Sequence, residues 1–79
     1  MTNLRVTSDL AHLYAVALRG IADAVELAAD GGLSDDSAAY SYGERLATRC
    51  TGDSRTYRDD VDEHGLVAAL RRLARLLDR

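Results

Sequence analysis

From Ser8 to Asp30 the apolar and polar positions separate by helical period. At 100° per residue, Leu10, Tyr14, Ala17, Leu18, Ile21, Ala24, Val25 and Ala28 share one sector. His12, Arg19, Asp23, Glu26 and Asp30 fall opposite them. The spacing predicts a long helix with one buried stripe and one wet face. Thr7 or Ser8 is placed to cap it, Asp9 complements the dipole of the first turn, and Gly31-Gly32 supply a left-handed stop. Such a rod is roughly 30–35 Å long. Leu13, Val16, Gly20 and Leu27 line a flank between the stripe and the polar face. That flank is either the edge of a wide core stripe with a tolerated glycine, or a second seam at which a partner helix comes close.

The later segments are shorter and need the rod as a wall. Residues Met1 to Thr7 read as extended, with Leu4 and Val6 turned to the bundle and Val6 acting as a staple. Leu33-Ser34-Asp35-Asp36 reads as a second helix start, with Ser34 as cap and Leu33 packing on Ala38. Ala39, Tyr42, Leu46 and Cys50 then recur at helical spacing, Gly43 weakens that helix, and Thr51-Gly52-Asp53 stops it. The short link from Asp30 to Leu33 predicts that the second helix runs antiparallel to the first. Beyond Ser54 the phase changes. Tyr57 and Val61 share one side, whereas Leu66, Ala69, Leu70, Leu73 and Leu77 share the other. A straight rod cannot bury both, so a break or kink is expected near Gly65. The expected fold is all-α: a single domain over residues 1–79, a bundle of three or four helices built on the N-terminal rod.

Composition narrows the function classes. At 79 residues the chain buries only about 60% of its unfolded surface. Its apolar fraction leans on alanine, with no Phe or Trp. A dimer or a protein partner would add the contact area that such a core lacks. The net charge of −3 gives no global field for nucleic acid. All the basic side chains are arginine, which reads as GC-rich coding bias. Neither a membrane span nor a secretory leader is recognisable, so the expected compartment is the cytoplasm, with export by a signal-less route as the other possibility. Cys50 stands alone and reads as a small buried thiol.

Sites for chemistry are hard to assemble from these residues. Asp60 with His64, and Asp9 with His12, have spacings that place each pair on one helix face. A metal needs three or four convergent ligands, so these read as surface ion pairs, and neither metal nor cofactor is expected. No nucleophile turn accompanies the serines, so no catalytic residues or small-molecule substrate are assigned and the chain reads as a non-enzyme. Arg71, Arg72, Arg75 and Arg79 form a face opposite the terminal leucines. It reads as a solvated face that complements the helix dipole, with anion binding as the alternative. Tyr14 and Tyr42 fit core stripes; Tyr40 and Tyr57 are less committed and are candidate interface anchors. The candidate partner surface is therefore Leu13, Val16, Gly20, Leu27, Tyr40 and Tyr57.

Two resemblances bear on this expectation. Leu4-Arg5-Val6, then Leu10, Leu13, Ala17, Leu18, Ile21-Ala22, Val25 and Ala28-Ala29, resemble the opening helix of small actinobacterial type VII (ESX) secretion-associated proteins. That resemblance implies a non-enzymatic helical hairpin, often dimeric. The Trp-x-Gly turn of that group is replaced by Asp30-Gly31-Gly32-Leu33, and its Tyr-x-x-x-acid spacing occurs at Tyr40 to Glu44, inside the second helix. Gly52-Asp53-Ser54 is similar to the attachment motif of acyl carrier proteins, but Arg55 stands where an apolar helix should begin. The expectation is a protein–protein interaction module, secretion-associated or, alternatively, a small antitoxin-like or phage-type regulator, with a carrier protein behind both.

Overall fold

A computed structural model of the chain describes residues 4–32 and 36–78. Within them lie α1 (Ser8–Asp30), α2 (Ser37–Thr51), α3 (Arg55–His64) and α4 (Leu66–Leu77), with no strand among the described residues. The all-α bundle is the observed architecture, and α1 keeps the expected limits without a break. Thr7 caps it from an extended backbone, its hydroxyl accepting from the Leu10 amide at 3.3 Å. At the far end the Gly31 amide donates to the Leu27 carbonyl at 3.1 Å. The left-handed residue is Gly32, at φ 79°. The expected cap Ser34 and its neighbour Leu33 lie outside the described residues; α2 begins at Ser37.

Both longer partners run antiparallel to α1. The Arg5 amide donates to the Cys50 carbonyl at 2.7 Å, joining the strand of chain before α1 to the end of α2. At the other end, Val25 and Ala28 share a groove with Asp36, Ala38 and Ala39. For α4 the pairs are electrostatic: Asp78 reaches back to His12 and Arg19, while Arg71 reaches Asp23 and Glu26. The most extensive pairing among the described helices is α1 with α4, not α1 with α2. Leu4 and Val6 pack on the core as expected.

The buried stripe of α1 corrects the expectation. It is Ala11, Ala15, Leu18 and Ala22, all fully buried, and its centre lies about 110° round the helix from Leu10. Tyr14, Ile21 and Val25 are only half-buried, and Ala24 is exposed. The reason is shape. Alanines at this spacing let another helix approach closely, and the bulk comes from the other side, from Leu70, Leu73 and Leu77 of α4. Full burial of a leucine such as Leu70 contributes about 1.5–3 kcal/mol.

The chain breaks where the phase change demanded. Gly65 adopts φ 90° and ψ 165°, separating α3 from α4. Tyr57 and Leu70, Leu73 and Leu77 of α4 are thereby buried in one core. Gly43 is more than a weak point in α2. A Cβ there would overlap the phenol of Tyr57, so the glycine makes room for that ring. The Tyr57 hydroxyl donates to the Tyr40 carbonyl at 3.0 Å. α2 ends at Gly52 in the left-handed region, its amide donating to the Thr48 carbonyl at 2.8 Å.

Candidate interaction surface

Going round α1 at helical period gives four strips with different neighbours. Tyr14, Ile21 and Val25 border α2. Ala11, Ala15, Leu18 and Ala22 are the interior. His12, Arg19, Asp23 and Glu26 form the rim facing α4. The last strip carries Leu13, Val16, Gly20 and Leu27 and has no neighbouring helix among the described residues.

The polar strip is not the free face that its composition predicts. His12 Nδ1 lies 2.8 Å from one Asp78 oxygen, and the Arg19 guanidinium donates to the other at 2.9 Å. Arg71 donates to Asp23 at 2.8 Å and to Glu26 at 3.3 Å. These bonds strap α4 across the alanine seam. They also hold the Asp78 carboxyl below its ordinary range, chiefly through the His12 and Arg19 hydrogen bonds. The pairs expected from spacing alone do not form. His12 turns to Asp78 instead of Asp9, and Asp60 turns to Arg72 at 3.3 Å instead of His64. Long-range partners on α4 outcompete neighbours on the same helix. Of the arginine face, Arg71 and Arg72 are in ion pairs and Arg75 is exposed, while Arg79 lies outside the described residues.

The open strip is the reverse case. Leu13 is 62% exposed, Val16 52% and Leu27 73%, and these three are the exposed large hydrophobic residues among those described. Gly20 sits between them, and a side chain added there would meet nothing within 4 Å. Ala24 continues the strip into an open groove of about 420 Å³ between α1 and α2, floored by Ile21, Val25 and Ala39. The apolar surface is thus contiguous from Leu13 to the α2 side of the molecule. Such patches on a small domain mark contact sites more often than chance.

The two tyrosines part company. Tyr40 is half-buried, with its ring centroid 5.6 Å from that of Tyr57 at a tilt of 43°. Tyr57 itself is buried, and its phenol is pushed above its ordinary value first by desolvation, then by Tyr40 and Glu44. A buried ring with its hydroxyl already committed is a core residue, which removes Tyr57 from the outward-facing set. Its sequence signal was the glycine at Gly43, whose missing side chain marks a close approach. Glu44 is bonded to Arg58 at 2.9 Å, so the Tyr40–Glu44 spacing lies on a packed helix. Ser54 is a buried polar residue, poorly placed to carry a prosthetic arm. Cys50 is a free, buried thiol whose pKa burial raises. No group of three or more His, Cys, Asp or Glu among the described residues is placed to hold a metal, and no described helix is long and apolar enough to cross a membrane.

Comparison with protein-family models, with curated proteins and with solved structures returned no match.

Proposed function

We propose that this protein is a non-enzymatic helical interaction module whose working surface is the open strip of α1. One observation carries the reading: the three exposed large hydrophobic residues among those described, Leu13, Val16 and Leu27, lie on one helix face around an unobstructed glycine. A helix with leucines at this spacing suits another helix, which would lie along α1 and bury the strip. The resemblance of Leu4–Ala29 to type VII secretion-associated helices offers one biological setting. A toxin-neutralising or phage-type regulator offers the other, and a neighbouring toxin-like reading frame would favour it.

The test is a Leu13→Asp/Leu27→Asp double variant. Both positions are exposed, so the fold is expected to survive, with an unchanged helical circular dichroism spectrum and melting curve. Association, read by light scattering and by capture of partner proteins, is expected to be lost. Unchanged association and unchanged capture would refute the assignment of this surface.

A further inference from the structure

We infer that the occupant of the open strip is a second copy of this chain, docked antiparallel with the two-fold axis beside Gly20; this rests on the reading that the strip is a docking surface. The strip is self-complementary in its spacing. Leu13 and Leu27 each lie seven positions from Gly20, and Val16 and Ala24 each lie four. A two-fold operation that reverses the helix about Gly20 sets Leu13 of one copy level with Leu27 of the other, and Val16 level with Ala24. It does so twice, as an isologous interface requires. Leucines then close the two ends, a larger residue meets a smaller one inside them, and glycine faces glycine at the centre. Gly20 has no contact within the chain that its missing side chain serves, since a Cβ there meets nothing within 4 Å. What it does leave open is close backbone approach at the crossing point. A foreign partner gives no reason for spacing that mirrors itself about one residue of this chain.

Charge supplies the direction. Beside the strip, one carboxylate, Asp78, serves two bases, His12 and Arg19. Further along, one guanidinium, Arg71, serves two acids, Asp23 and Glu26. On this flank α1 carries its bases, His12 and Arg19, in the half towards its start. Its acidic surplus, extended by Asp30, lies towards the end. With the two-fold axis in the contact plane, the same flanks of the two copies adjoin. Antiparallel docking keeps the acidic ends of the two rims apart, each level with the turn that carries His12 of the other copy, whereas a parallel two-fold would face this charged rim with the other copy's Tyr14, Ile21 and Val25 side. Asp9 comes within one position of Asp30 of the second copy at the extreme ends, which favours helices that cross at Gly20 and diverge outwards.

Sedimentation velocity over a concentration series tests this. The unmodified chain is expected to show a reversible monomer–dimer equilibrium. Leu13→Glu and Leu27→Lys, made singly, are each expected to weaken it by roughly tenfold or more. Combined in one chain they are expected to restore it, because antiparallel docking sets each new acid against a new base; a parallel pair would set like against like. Gly20→Cys is expected to form a covalent dimer on oxidation, and Asp30→Cys is not. A chain that stays monomeric into the millimolar range overturns the inference. The broader reading then survives only if the same single variants abolish binding to a different protein. A dimer indifferent to both single variants overturns inference and reading together. Loss in the single variants without rescue in the combination overturns the antiparallel arrangement.

Discussion

Of the apolar strips of α1, the one buried against α4 carries smaller side chains than the one left open to solvent. The strip against α4 is Ala11, Ala15, Leu18 and Ala22, each fully buried. The strip away from it carries Leu13, Val16 and Leu27, more than half exposed. Hydrophobicity alone would have ranked them the other way. What decides is reach: small side chains let the two backbones come near enough for the leucines of α4 to fill the space between. The polar residues then follow the packing, since His12, Arg19, Asp23 and Glu26 stand beside the seam and bond across it to α4. Bulk left on the outside has no such compensation within the chain, which is why that strip reads as a surface for something else.

The comparison can be broken most forcefully by truncating one leucine on each strip. Leu18→Ala is expected to cost about 2–5 kcal/mol in urea unfolding, as a cavity opens in the seam. Leu27→Ala should stay within about 0.5 kcal/mol at concentrations where the chain is monomeric. Equal losses would show that the two strips are not different in kind. Adding bulk gives the next effect. Ala15→Leu should destabilise by about 1–3 kcal/mol through overpacking, and Gly43→Ala by a similar amount because the new methyl meets the Tyr57 ring. Gly20→Ala, on the open strip, should instead stabilise the monomer by about 1 kcal/mol, having only helix propensity to change. Thermal melts of the three variants at matched low concentration would check the contrast in sign.

Smaller effects come from titration. The Tyr57 phenol is neutral in the core, and burial pushes its pKa above the ordinary 10.0. A group whose folded-state pKa is raised keeps its contribution below the unfolded value and loses it as pH rises through the folded one. Stability should therefore decline on the alkaline side of pH 10, and Tyr57→Phe should flatten that decline. The same variant forfeits about 0.5–1.5 kcal/mol at neutral pH for the lost bond to the Tyr40 carbonyl. Asp78 gives the smallest expected change. Its carboxyl is lowered from 3.8, so its contribution is present above that value and fades as pH falls through the folded one. Asp78→Asn should lower the melting temperature slightly at low salt, and the difference should vanish in about 1 M salt, where exposed pairs are screened.

Several features could be read before any coordinates. Thr7, Gly52 and Gly65 mark limits that the helices keep, because capping and left-handed turns depend on the residue in place and little on its surroundings. The opposition of Tyr57 to Leu70 and Leu73 also foretold the break, since one straight helix cannot bury both. The spacing picks out the flank of Leu13, Val16, Gly20 and Leu27 but does not decide between the edge of a wide core stripe and a strip apart; the exposure of Leu13, Val16 and Leu27 excludes the core edge. The identity of the core stripe did not, because alanine carries little hydrophobic weight and Ala11, Ala15 and Ala22 are outscored by Leu10, Ile21 and Val25.

By itself, then, the sequence determined both limits of α1, the stop of α2 at Gly52 and the break at Gly65, for these are local matters of dihedral preference and capping, whereas α2 begins at Ser37 and not after the expected cap Ser34. Which side of α1 faces inward was decided only when α4 packed against it. That choice depends on how closely two backbones can approach and on ion pairs between residues nearly sixty positions apart, as in Arg19 with Asp78. No single helix carries that information, because a packing face is a property of two surfaces at once.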